Sequence, residues 1–304
     1  MGELKPYRGG YYLWKYVPSL PAAIIFLVLF VAATTFHFWK LHRTKAWFCL
    51  AFSIGGLCMY TGNLDLLNIA NWLPLKVEVI GYVGRAAANN STDSVIVFAI
   101  QNVFLLLGPT LFAASVYMTL GRIIRSVHAE KHSLVRINWL TKIFVMGDVV
   151  SFLVQGGASG LMATGNNVKM ASNIVVAGLV IQVVMFGLFI VTSVVFEVRM
   201  RRSPTTEAFD ERINWMTQVR TLYAVSALIL IRSIFRVVEY AAGDDGYPLT
   251  HEWMLYVFDS VLMIISMLIW AIWYPGNMPK LTVADLETVT EVVADLELKE
   301  DRGA

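Results

Sequence analysis

Charge is scarce in this chain of 304 residues: 24 Lys and Arg and 22 Asp and Glu make up 15% of it, against 57% hydrophobic residues. A soluble domain carries about a quarter charged residues, so the composition excludes one, and the mean hydropathy of +0.61 agrees. Cysteine is scarcer still, with Cys49 and Cys58 alone. They stand nine residues apart in one apolar run, about 13 Å along a helix axis, which excludes a disulfide between them and leaves no thiolate metal site. No stretch alternates in polarity over about ten residues, as outer-membrane barrel strands do. No phosphate-binding GxxxxGKS/T loop is present, so ATP is not this chain's own energy source. A cleavable signal is also missing: the first apolar run is too long for one and enters HFWKLHRTK without a small-residue cleavage site.

What is present is apolar length. Seven segments qualify as spans: 20–38, 46–69, 95–120, 139–161, 171–196, 222–242 and 253–274. Each is near the 20 or so residues that carry a helix across roughly 30 Å of hydrocarbon. The connections alternate in basic residues. Lys40, Arg43 and Lys45, then Arg122, Arg125, Lys131 and Arg136, then Arg199, Arg201, Arg202 and Arg212 fall on one side; the other side holds only Lys76, Arg85 and Lys169. The positive-inside rule makes the basic side cytosolic and outvotes Lys5, Arg8 and Lys15 of the N-terminus. Tryptophans cluster at span ends, as interfacial belts require. The predicted protein is all-α: an extracellular segment 1–19, a seven-helix transmembrane bundle over 20–274 with its N-terminus outside, and an acidic cytosolic tail over 275–304. Two overlapping sequons make Asn89 and Asn90 glycosylation candidates on the outer side. In the tail, Leu286, Val289, Val293 and Leu296 fit one face of a short amphipathic helix.

Charge then stands where hydrocarbon should exclude it. Arg232, Arg236 and Glu239 lie in span six at i, i+4, i+7 and share a face. Glu252 and Asp259, seven apart, share one at the start of span seven. Counting at 1.5 Å per residue places both Arg236 and Asp259 roughly 9 Å below the outer surface, a depth at which adjacent helices can pair them. Asn63 and Asp65 of span two and Gln101 and Asn102 of span three fall at a similar level. Deeper, Asp148, Ser151, Gln155 and Ser159 line one face of span four, and Gln182 of span five reaches the level of Gln155. Gly156 with Gly160, and Gly178, are expected to admit close helix approach, and Pro109 to kink span three. The result is a polar seam wet from the outer side, richer in embedded acids (Asp65, Asp148, Glu239, Asp259) than in bases, which suits a cationic or hydroxylated head group. Its plainer reading is helix fastening, at about 0.6–2 kcal/mol per interhelical hydrogen bond.

The stretch IRSIFRVVEYAAGDDGYPLTHEWMLYVFDS followed by YPG, the stretch GDVVSFLVQGGASGLM followed by AGLVIQVVMFGLF, and AASVYMTLGRIIRS resemble signatures of the fungal lipid-translocating exporter family, the RTA-like proteins named for resistance to aminocholesterol. The likeness covers about spans three to seven. A histidine is common before the closing Pro-Gly of that family, where this chain has Tyr274. The resemblance implies a plasma-membrane exporter of amphipathic lipids or lipid-like toxic compounds, without a cofactor. Sphingoid long-chain bases are the best-known substrates, with sterol-like toxins or porphyrins for some relatives. An acid-rich seam suits the ammonium and hydroxyls of a sphingoid base, so Glu239 and Asp259 are expected to receive the head group, Arg236 to keep them ionised, and Asp148, Gln155 and Gln182 to line the deeper path, with Asp65, Arg232 and Glu252 completing the set.

Two rivals stand beside this reading. A seven-span receptor or lipid sensor shares the topology, but span seven has no lysine for a retinal Schiff base. A zinc-dependent intramembrane hydrolase would need embedded histidines, whereas His37, His42, His128, His132 and His251 are expected at span ends or in loops.

Overall fold

A computed structural model describes residues 20–46, 49–62, 95–163, 168–209, 214–243, 246–247 and 251–275. These form helices α1 (Leu20–Thr44), α2 (Leu50–Gly62), α3 (Val95–Ser126), α4 (Ile137–Ala163), α5 (Val168–Arg202) and α6 (Trp215–Ala241), and a last helix, α7, over 252–272. No strand occurs among the described residues. Five of these helices have spans long and apolar enough to cross a membrane: Leu106–Ser126, Ile137–Ala158, Lys169–Arg202, Trp215–Ala241 and Trp253–Ile272. Asp65, Asn63, Asn89, Asn90, the segment 1–19 and the tail beyond Pro275 lie outside the described residues, as do the side chains of Gln101, Asn102, Ser159 and Glu252.

Helices α1, α3, α4, α5 and α6 are longer than the apolar runs that predict them, mostly at the basic end. α1 continues to Thr44 before Lys45, at φ 51°, turns the chain. α2 starts at Leu50 rather than Ala46, and Cys49 N just before it donates to Ala46 O. α5 ends on Arg199, Arg201 and Arg202, cations that complement the negative end of its dipole. α3 runs unbroken through Pro109, with the Thr110 hydroxyl donating to Leu107 O at 2.7 Å.

Apolar residues face outward here as well as inward. On α5, Val180, Val184, Leu188, Val191, Val194 and Val198 are 43–54% exposed. The stripe is about 27 Å long at 1.5 Å per residue, close to the hydrocarbon thickness. A soluble helix would place polar residues on this face, so the chain is an integral, multi-pass membrane protein. Inside, consecutive helices touch, α7 returns to α1, and α3 also reaches α6. The centre is aromatic: Phe52 stacks on Phe112 and on Trp270 at centroid distances of 4.3 and 4.7 Å, and Tyr117 packs on Phe189 at 4.6 Å.

One histidine departs from expectation. His37 is 1% exposed and lies against Met267 O at 3.0 Å, with its ring 5.1 Å from that of Phe52. Because α1 runs past residue 38, this position belongs to the packed interior rather than to a span end.

Candidate functional site

The buried face of α6 changes character along its length. Val219, Leu222, Val225 and Ile229 give way, at the same three- and four-residue spacing, to Arg232, Arg236 and Glu239. The first half packs as core; the second carries ionic side chains at 3–5% exposure. Burial on this scale is tolerated only with close partners, and α7 supplies one. Its segment Tyr256–Val261 is a π-helix, a wider turn that occurs mostly as a local bulge, frequently at functional sites. The bulge turns the consecutive residues Asp259 and Ser260 both inward, each at 0% exposure.

Asp259 takes both arginines. Arg236 Nη2 donates to its Oδ2 at 2.8 Å, and Arg232 Nε donates to its Oδ1. Arg236 Nη1 donates to Glu239 Oε2 at 2.9 Å. Two cations and two anions thus form one neutral network. The predicted pairing of Arg236 with Asp259 is present, and Arg232, which sequence spacing left without an assigned partner, is the second half of it. The seam was expected to be wet from the outer side; in this conformation these four side chains are sealed against one another. Their charges cancel, so the excess of embedded acid among the described residues comes down to Asp148.

Asp148, on α4, is 3% exposed and accepts from Tyr117 Oη of α3 at 2.8 Å through Oδ2. Its Oδ1 has no hydrogen-bond donor among the described residues. Tyr117 lies in a stretch that the family resemblance covers, but an aromatic residue in an apolar run reads as core and gives no sign of a carboxylate partner. Tyr117→Phe is expected to cost about 1–3 kcal/mol by stranding that carboxylate, read as a lower melting temperature of the detergent-solubilised protein.

One turn further on, Ser151 Oγ donates to Gly178 O at 2.5 Å, and Gln155 Nε2 donates to Ser151 Oγ at 2.7 Å and to Gln182 Oε1 at 3.3 Å. Gln155 and Gln182 therefore meet, as their depths predict. Gly178 makes the contact: a Cβ there would stand 2.8 Å from Gln155 Cγ and 3.3 Å from Ser151 O. The GxxxG pair does not take part. A Cβ at Gly156 or Gly160 would meet nothing within 4 Å among the described residues, because these glycines face away from α5. Where α4 and α5 meet α6, Ala158, Val175 and Leu179 pack with Val237 and Tyr240.

Comparison with known proteins follows the same residues. A family model described as "RTA1 like protein" matches residues 73–281. Protoporphyrin uptake protein 1 of Saccharomyces cerevisiae is 33% identical over 281 residues, covering 86% of this chain and 92% of that one. Protein RTA1 of the same yeast is 35% identical over 276 residues, covering 88% and 86%. Sphingoid long-chain base transporter RSB1, also from that yeast, is 25% identical over 296 residues, covering 86% and 72%. No solved structure matches the chain.

Proposed function

The chain belongs to the RTA1-like family, and from that premise we propose that it exports amphipathic lipids or lipid-like toxic compounds across the plasma membrane. Sphingoid long-chain bases are the leading substrate class. The proposal includes seven spans, an N-terminus outside, a cytosolic tail over 275–304, and no enzymatic step. Support comes from relatives whose names state sphingoid-base transport and protoporphyrin uptake.

The observation that carries the reading is the neutral network of Arg232, Arg236, Glu239 and Asp259. A sphingoid base presents an ammonium and hydroxyls on a long tail. Its ammonium matches what the carboxylates of Glu239 and Asp259 already hold, so binding is an exchange in which substrate replaces a guanidinium. The exchange requires α6 and α7 to part, and the π-turn around Asp259 is the natural place for the register to change. Asp148, with one oxygen lacking a donor among the described residues, and the Gln155–Gln182 pair offer hydroxyl-binding groups deeper in the bundle. Asp65 and Glu252 belong to the outer part of the proposed path.

Glu239→Gln keeps the shape of the side chain and leaves both arginines on Asp259. Removing its charge-assisted bond, worth about 1.5–3 kcal/mol, is expected to lower flux of a labelled long-chain base about 10- to 100-fold. The assay uses vesicles containing only this protein, at equal protein content, which also separates a transporter from a sensor. Unchanged flux in Glu239→Gln sinks the head-group assignment; absence of flux in the unmodified protein sinks transport itself.

A further inference from the structure

At the opposite end of the bundle from the charge network, α3 and α4 enclose an open cavity of about 200 Å³ lined by Met118, Gly121, Arg122, Arg125, Ile137 and Thr141. The two guanidinium groups come from one face of α3, three residues apart, and both arginines are exposed. Arg125 Nη2 is steered by Asn138 Oδ1 at 3.3 Å. Thr141 turns its hydroxyl toward Gly121: a Cβ built there would lie 3.7 Å from Thr141 Oγ1. No lining residue is acidic, and Met118 and Ile137 supply an apolar wall.

The depth of the cavity is marked independently. Trp139, two residues into α4 from Ile137, is 57% exposed with Lys142 Nζ over its ring at 5.6 Å. An exposed tryptophan beside lysine is the signature of the head-group layer. Paired guanidiniums bind phosphate oxygens in forked geometry, which a single ammonium does not. The volume is below the roughly 300–1,000 Å³ of sites that engulf a drug-sized ligand, so the cavity takes a head group while the acyl chains stay in the bilayer. We propose that this cavity is a binding site for the phosphate of an anionic glycerophospholipid from the leaflet on the basic side. Arg122 and Arg125 hold the phosphate, Thr141 donates to it, and Met118 and Ile137 cover the glycerol. The site is separate from the proposed transport path.

The test uses full-length protein in dodecylmaltoside micelles, titrated with dioctanoyl phosphatidic acid, dioctanoyl phosphatidylcholine and inorganic phosphate, with adducts counted by native mass spectrometry. The expected result is one phosphatidic acid per chain, bound in preference to phosphatidylcholine. Arg122→Gln with Arg125→Gln should weaken it roughly 30-fold, at about a factor of five for each basic residue. Thr141→Val, which leaves both charges in place, should weaken it about fivefold. Lys131→Gln with Arg136→Gln removes the same charge from residues that do not line the cavity and should change binding less than about twofold, since these side chains make no direct hydrogen bond to the bound phosphate and act on it only through screened solvent. Equal loss in the two double variants would reduce the effect to surface charge and overturn the site. So would equal binding of phosphatidylcholine, or inorganic phosphate displacing the lipid at the lipid's own concentration.

Discussion

Asp259→Ala is expected to lower stability by about 3–5 kcal/mol, because it strands two buried guanidiniums at once. Arg232 and Arg236 are 3% and 5% exposed, and both use this carboxylate. Thermal unfolding in detergent should show a fall on the order of 10 °C, together with complete loss of base flux. A loss of flux from misfolding alone would say nothing about transport, so a companion variant is decisive. Replacing the whole network with apolar residues (Arg232→Met, Arg236→Leu, Glu239→Leu, Asp259→Leu) removes the buried charges together, a change that is often neutral or stabilising. The fourfold variant should therefore recover the melting temperature and remain inactive. If it folds and still moves long-chain bases at the original rate, the network is a fastening and its role in binding is refuted.

Gly178→Val carries the second largest expected effect. Its added carbons meet Gln155 Cγ, and the carbonyl oxygen of Ser151 leaves little room to yield. Overpacking of this kind costs about 1–3 kcal/mol, and separating α4 from α5 also weakens the Ser151–Gly178 and Gln155–Gln182 hydrogen bonds. A total of about 2–4 kcal/mol is expected, with interhelical bonds near 0.6 each. Gly156→Val, next to Gln155 on α4, meets nothing within 4 Å among the described residues, and should stay within about 0.5 kcal/mol of the parent. Comparable melting temperatures for the two variants would show that the close approach at Gly178 contributes nothing.

These contrasts mark what was legible in the sequence. Charge inside apolar runs located the network, and counting residues from span ends matched Arg236 with Asp259 and Gln155 with Gln182, because a regular helix converts position into depth. Counting says nothing about rotation, and there the reading falls short. Gly156 and Gly160 satisfy a pattern for close packing but point away from α5, while Gly178, with Gln182 one turn on, makes the contact. The second partner of Asp259 depends on the π-turn at Tyr256–Val261, which shifts the register by an amount that no apolar pattern encodes. Tyr117 looks like core by composition, and only the fold brings Asp148 beside it. His37 follows from helix length: extension of α1 to Thr44 moves a residue counted as terminal into the interior.

The ring of helices closes between its first and last members. Lys40 Nζ donates to Ala271 O at 2.5 Å, and His37 rests on Met267 O. During synthesis α1 leaves the ribosome some 230 residues before the α7 part of the surface it packs on. Until then its inward face, Phe30, Thr34 and His37 among it, has no α7 to cover it and must wait in the insertion machinery or in lipid. Packing of α1 is therefore complete only once α7 arrives, and a ribosome stalled before Met267 leaves a chain whose first helix rests on α2 but is open on the side that α7 covers.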